Sequence, residues 1–172
     1  RQRQMCIRDR QYQDGTEYDY NLVNGCICQA QLTKISPSGK WIATTYRTET
    51  PSANRQYVEY TYAAAFYNTE TGTTTIVEDY GETTGVHVTD DGIGFIGIGT
   101  LGVSAGKVYD LNTHTDLGDT QDWVYDTYGI VIPGGYINHI SADGRYVLGT
   151  SAQSSAGGTS FINWYIAPPR AK

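Results

Sequence analysis

One pattern restricts the fold of this chain more than anything else in it: a hydrophobe, a hydroxyl, two turn residues, a glycine and an apolar run, written three times. It reads Ile35-Ser36-Pro37-Ser38-Gly39-Lys40-Trp41-Ile42-Ala43-Thr44, then Val88-Thr89-Asp90-Asp91-Gly92-Ile93-Gly94-Phe95-Ile96-Gly97, then Ile140-Ser141-Ala142-Asp143-Gly144-Arg145-Tyr146-Val147-Leu148-Gly149. The turn glycines Gly39, Gly92 and Gly144 stand roughly fifty positions apart, a period typical of repeats built from one supersecondary unit. In each copy the hydroxyl opens a type I turn and the glycine closes it in the left-handed region as a bulge. Each copy is therefore predicted to be a hairpin.

The apolar runs after the turns, Trp41-Ile42-Ala43, Phe95-Ile96-Gly97-Ile98 and Tyr146-Val147-Leu148, suit strands covered on both faces. A third strand is expected at Ala63-Ala64-Ala65-Phe66-Tyr67, Lys107-Val108-Tyr109 and Ser160-Phe161-Ile162. In the first two units a second turn then leads to an outer strand, over 73–78 and 115–117. The third unit stops at Pro168-Pro169 without one. Fifteen tyrosines, twenty glycines and many threonines, against one methionine, favour pleated strands joined by turns. The expected fold class is all-β: a partial β-propeller of about three four-stranded antiparallel blades, the last incomplete, with repeat units near 29–79, 85–118 and 136–169. At 172 residues the chain holds one domain or part of one.

The stretch 35–44 resembles the Ser-Pro-Asp-Gly repeats of Tol-type periplasmic and other WD-like propellers, with Ser38 where that family carries aspartate. The stretch 140–150, followed by Gly157-Gly158-Thr159-Ser160-Phe161 and Trp164, is similar to the HAF-type repeats of bacterial extracellular proteins. These resemblances imply blades in a periplasmic, cell-surface or secreted protein, and they imply no activity. Closed propellers use roughly four to eight blades, so three imply a propeller cut short. The first ten residues resemble translated sequencing-adapter read-through. If they are, they carry no fold, and the true start of the protein, with any signal peptide, lies upstream. Residues 11–24 read as a turn and an aromatic strand from the edge of a preceding repeat, with a partner elsewhere or nowhere.

The formal charge is −6, and Arg1, Arg3, Arg8 and Arg10 supply four of the twelve basic residues. An acidic surface repels phosphate backbones, which argues against nucleic acid as a partner. No apolar run reaches the roughly 18–20 residues of a membrane span. Cys6, Cys26 and Cys28 are odd in number and lack metal-ligand spacing, and the three histidines sit far from them in sequence, so no metal and no cofactor is expected.

Antiparallel order puts the hydroxyl-opened turns and the second turns at one end of the blades, and the remaining connections at the other. Those connections are expected to be irregular loops over 47–56, 80–84, 99–105, 118–135 and 151–158. Function tends to sit on variable loops held by a rigid frame, so a ligand is expected on this second face. Its longest loop, 118–135, carries Asp122, Trp123, Tyr125, Asp126 and Tyr128, a mixture of rings and carboxylates that suits a glycan or peptide. The alternative is that Trp123, Val124 and Tyr125 form an insertion strand packed on the blade. Arg47 and Arg55, in the first blade's loop, are candidate anion contacts or solvated surface.

Other patterns carry less. Asp116-x-x-Asp119-x-x-Asp122 lacks the calcium-loop ligand pattern. His87 and His139 hold matching places on inner strands, facing either a central channel or satisfied structural partners. Gly92-x-Gly94-x-x-Gly97 has dinucleotide-site spacing without the helix that chemistry needs. Gly102-Val103-Ser104-Ala105-Gly106 spells a nucleophile elbow in a loop between strands. No catalytic residue is assigned. The reading is a non-catalytic binding or scaffold module; the alternatives are the propeller portion of a hydrolase whose catalytic residues lie elsewhere, and a purely structural adhesion or assembly component.

Overall fold

The computed structural model describes residues 9–13, 16–20, 32–51, 58–77, 82–99, 105–155 and 158–168. Strands β1 (Asp9–Gln13) and β2 (Thr16–Tyr20) pair antiparallel with one another, so the aromatic strand of the N-terminal stretch does have a partner, and it is local. Three larger antiparallel sheets follow in sequence order. The first joins β3 (Leu32–Ile35), β4 (Trp41–Pro51), β5 (Val58–Asn68) and β6 (Thr73–Val77). The second joins β7 (Thr83–Val88), β8 (Ile93–Ile98), β9 (Ala105–Asp110) and β10 (Thr115–Asp119). The third has β11 (Tyr136–Ile140), β12 (Val147–Ser155) and β13 (Gly158–Ile166).

The sheets pack face to face, with β7 against β3, β4 and β5 on one side and β11 on the other. Up-and-down sheets in series, each packed on the next, are successive blades of a propeller. Period-two alternation divides each strand between two neighbours. From the second blade, Val86, Val88 and Ile96 join Trp41, Ala43, Ala64, Phe66 and Val77 of the first blade in one buried cluster. Phe95 and Val108 face the other way, into a cluster with Ile137, Ile140, Val147, Trp164 and Ile166 of the third. The continuous apolar run of β8 is thus covered on both faces.

The Gly92-x-Gly94-x-x-Gly97 run has a packing explanation. A Cβ on Gly94 would lie 2.8 Å from the Phe66 ring of the first blade, and a Cβ on Gly97 would lie 2.8 Å from Tyr136 of the third. The two glycines let rings from both neighbours approach the β8 backbone.

The three hairpin turns share one hydrogen-bond plan. The hydroxyl of Ser36, Thr89 and Ser141 accepts from the amide of Trp41, Ile93 and Tyr146 at 3.1, 3.0 and 3.0 Å. The closing glycines Gly39, Gly92 and Gly144 have φ of 80°, 86° and 68° and donate to the carbonyl of the same hydroxyl residue. The outer turns also match: Asn68 Oδ1 accepts from Glu70 N at 2.9 Å, and Asp110 Oδ1 from Asn112 N at 2.8 Å. Backbone-capping side chains specify both turn types locally.

Three expected loops are regular structure instead. β4 and β5 stay paired to Pro51↔Val58, so Arg47 is a strand residue opposite Tyr62, and Arg55 lies outside the described residues. β12 and β13 pair out to Ser155↔Gly158. Within 118–135 the chain forms neither a loop nor an insertion strand around Trp123 but a helix, α1 (Thr120–Tyr128). Cys6, Cys26, Cys28 and most of the 102–106 motif lie outside the described residues.

Candidate functional site

The helix redirects the long connection. It begins after β10, where Asp119 pairs with Lys107 at the loop end of the second blade, and it finishes at the turn end of the third, where the Tyr128 hydroxyl donates to Gly144 O at 2.9 Å. Asp119 takes the N-cap place with extended backbone angles, yet its carboxylate lies 2.9 Å from Lys107 Nζ instead of capping the helix. That hydrogen bond and ion pair raise the Lys107 pKa against a smaller opposing effect of burial. Gly129, at φ 68°, closes the helix by donating to Tyr125 O. The face of Thr120, Val124 and Tyr128, with Trp123 beside it, turns inward: Val124 and Thr120 are buried, and Trp123 stacks edge-on against Phe95 at 4.9 Å and Tyr128 at 5.9 Å.

This placement walls an open cleft of about 420 Å³ at the turn end, between the second and third blades. Asp90, Asp91, Thr89 and Ile93 line it from the second blade, and Ile140 with residues 141–144 from the third. Trp123, Thr127 and Tyr128 form the helical wall, and Pro37 reaches in from the first blade. Of the residues expected from sequence, Trp123 and Tyr128 meet here. Asp122, Tyr125 and Asp126 sit on the outer side of α1, with Tyr125 57% exposed. Arg47 belongs to β4 in the first blade, and Arg55 lies outside the described residues.

A turn-to-turn contact fixes one flank. Ser38 donates its amide and its hydroxyl to Asp90 at 2.9 and 2.6 Å, tying the first blade's turn to the second's. Burial pushes the Asp90 pKa up, but hydrogen bonds from Ser36 and Ser38, with Lys40 nearby, outweigh it and leave the carboxyl below its ordinary value. Asp143 is also lowered, by the Ser141 hydroxyl at 2.6 Å and the Arg145 amide at 3.1 Å. Asp91 accepts from the Thr89 hydroxyl. The place in the third turn that matches Asp90 is Ala142, so no carboxylate bridges the second turn to the third. The cavity occupies that junction.

Chemically, the site offers the Trp123 ring, apolar contacts from Ile93 and Ile140, and three carboxylates along one rim. The Ser141 hydroxyl is committed to its own turn, donating to Asp143 and accepting from Tyr146. Tyr128 is held protonated by burial, which raises its pKa. Among the described residues no histidine lines the cavity. Asp116, Asp119 and Asp122 do not converge: Asp116 accepts from Gly118 N at 2.7 Å and Asp119 faces Lys107. Among the described residues no group of three or more potential metal ligands is present, and no helix is long and apolar enough to cross a membrane. In the sequence the aromatics of 118–135 stand out as candidate contacts, whereas Asp91 and Asp143 occupy turn positions that carry no binding signal of their own. The signal available was Asp90, an extra acid where the other copies carry Pro37 and Ala142.

No protein-family model and no curated protein matches the chain. Among solved structures, an acylaminoacyl peptidase of Pyrococcus horikoshii is similar at 14% identity and a TM-score of 0.48, over 75% of this chain and 18% of that one. The β-propeller domain of the Trilobed protease from Pyrococcus furiosus, described as having an open velcro topology, is similar at 13% identity and a TM-score of 0.46, over 80% of this chain and 38% of that one. The chain therefore spans well under half the length of either.

Proposed function

We propose that the chain is a binding module without catalytic residues of its own, part of a bacterial envelope or secreted protein, and that its ligand is a short peptide carrying a basic side chain. The observation that carries this reading is the turn-end cavity, which sets an aromatic ring beside carboxyl groups in a space of about 420 Å³. Trp123 offers a flat apolar surface to the stem of a lysine or arginine, and Asp91 and Asp143 accept hydrogen bonds from its charged end. A net charge of −6 favours encounter with a cation. An amino sugar satisfies the same chemistry, which keeps a glycan within reach.

The test is binding of blocked lysine, arginine and glutamate tripeptides and of glucosamine oligomers to the 172-residue chain and to Asp91→Asn and Trp123→Ala. The reading expects the basic ligands to bind, glutamate peptides not to bind, and Asp91→Asn to weaken the complex about tenfold. Equal binding of acidic and basic peptides, or binding that ignores both substitutions, contradicts it. Hydrolysis of any of these ligands by the purified chain favours the hydrolase alternative instead.

A further inference from the structure

The seam between the second and third blades contains a group that the cavity itself does not use. His87 lies on β7, is 2% exposed, and reaches across the seam to β11. Its Nε2 accepts the backbone amide of Ile140 on β11 at 3.1 Å. A ring nitrogen that accepts an N–H carries no proton of its own, so the neutral ring is protonated on Nδ1. On either side the ring lies against Phe95 at 6.2 Å and His139 at 5.1 Å. Ile140 is also a wall of the cavity, and the 141–144 turn follows it directly.

We propose that His87 is an acid-sensitive latch on this seam: the unprotonated ring holds β11 against β7, and a proton on Nε2 releases Ile140 and the turn that walls the cavity. The release follows from geometry. Once Nε2 carries a proton, two donors face each other across a 3.1 Å gap, and the ring or the strand must move. The charged groups that face His87 give a proton no compensation: β11 brings His139 and β3 brings Lys34, both cationic when protonated. The other described side chains of β7 and β8, and those of β4 over 41–45, carry no charge. Burial is the largest cause holding the ring neutral, followed by the charges of His139 and Lys34, and together they lower its pKa to about 4. The latch thus holds at neutral pH and opens in acid.

The coupling of the latch to ligand release rests on the binding function proposed above; the latch does not. Two readouts on the 172-residue chain separate them. The first is hydrogen exchange at the Ile140 amide, corrected for intrinsic rates, with nitrogen-15 shifts reporting the His87 ring. The opening equilibrium is expected to rise by up to about tenfold per pH unit as pH falls from 6.5, to about 150-fold at pH 4 and about 300-fold well below it. His139→Gln, an exposed change, should shift the response to higher pH by removing a facing charge. His87→Gln should abolish it. If His87→Gln does not fold, the wild-type titration and His139→Gln carry the test alone. An Ile140 protection factor independent of pH, or a His87 ring that titrates near 6.5 with its hydrogen bond intact, overturns the latch.

The second readout is binding of the blocked lysine tripeptide from pH 7 to pH 4.5. Exchange that follows pH while the peptide fails to bind at any pH supports the latch and sinks the binding function. Binding that persists unchanged while Ile140 opens overturns the coupling.

Discussion

Gly94→Ala tests the packing of the first two blades more sharply than any truncation. The added Cβ would meet Phe66 Cζ at 2.8 Å and Cε1 at 2.9 Å, whereas carbon atoms rest at roughly 3.5–4.0 Å. Phe66 is fully buried among Trp41, Val86, Val88 and Ile96, so its ring cannot swing clear without displacing them. Overpacking of this kind costs about 1–3 kcal/mol. Replacing glycine by alanine in a strand returns roughly 0.4–1 kcal/mol through the unfolded chain, because alanine has less freedom to lose. The expected net loss is therefore centred on about 1.3 kcal/mol. For a chain of this size that corresponds to a fall in Tm of roughly 3–5 °C. The assay is urea unfolding of wild type, Gly94→Ala, Phe66→Leu and the double variant. Phe66→Leu removes the edge of the ring that the methyl strikes, so the double variant should recover about 0.5 kcal/mol or more relative to additivity. A neutral or stabilising Gly94→Ala, with additive behaviour in the cycle, would refute the close approach of ring to backbone.

Other expectations concern charge and turns. Because the folded chain holds His87 neutral with a pKa of about 4, the unfolded chain takes up the proton first on acidification. Stability is then full above about pH 6.5 and falls by at most about 3 kcal/mol as pH drops toward 4; chemical denaturation at pH 7.5, 5.5 and 4.5 reads this slope, which His87→Gln should flatten. Asp90 acts in a lower window: its lowered pKa contributes stability above its ordinary value of 3.8, lost as pH falls through the folded value. Asp90→Ala should cost roughly 0.5–1 kcal/mol in urea unfolding at pH 7, since it removes charge-assisted bonds that are partly screened by solvent. Lys107→Gln, at a partly exposed pair, should change stability by less than about 1 kcal/mol, and that effect should shrink in 1 M salt.

The repeat was legible because its turns are specified locally. Ser36, Thr89 and Ser141 bond the amides that close their own hairpins, so the residues that announce each turn also build it. Coverage of β8 on both faces was equally plain from Phe95, Ile96 and the glycines that flank them. The helix was not, although its pattern was present: Thr120, Val124 and Tyr128, with Trp123 and Thr127, recur at helical spacing between Asp119 and Gly129. Threonine, tryptophan, valine and tyrosine prefer strands, and here burial of that face against Phe95 and Val108 overrides the preference. The reach of β4 and β12 was missed for the opposite reason. Polar runs around Arg47 and Gln153 look like loops, and only pairing with β5 and β13 makes them strands.

The position of the candidate site followed from that missed helix. An irregular loop over 118–135 would leave Trp123 at the loop end of the blades. A helix starting at Thr120 and closed at Gly129 carries Trp123 and Tyr128 to the turn end, beside Asp91 and Asp143.

The most direct test of the proposed function is a titration of the nitrogen-15-labelled chain with the blocked lysine tripeptide at pH 7, followed residue by residue. Saturable shift changes are expected at Asp91, Thr127, Tyr128 and residues 141–144, with the Trp123 indole among the largest. Changes confined to the opposite end of the blades, or no saturable change at millimolar peptide, would contradict it.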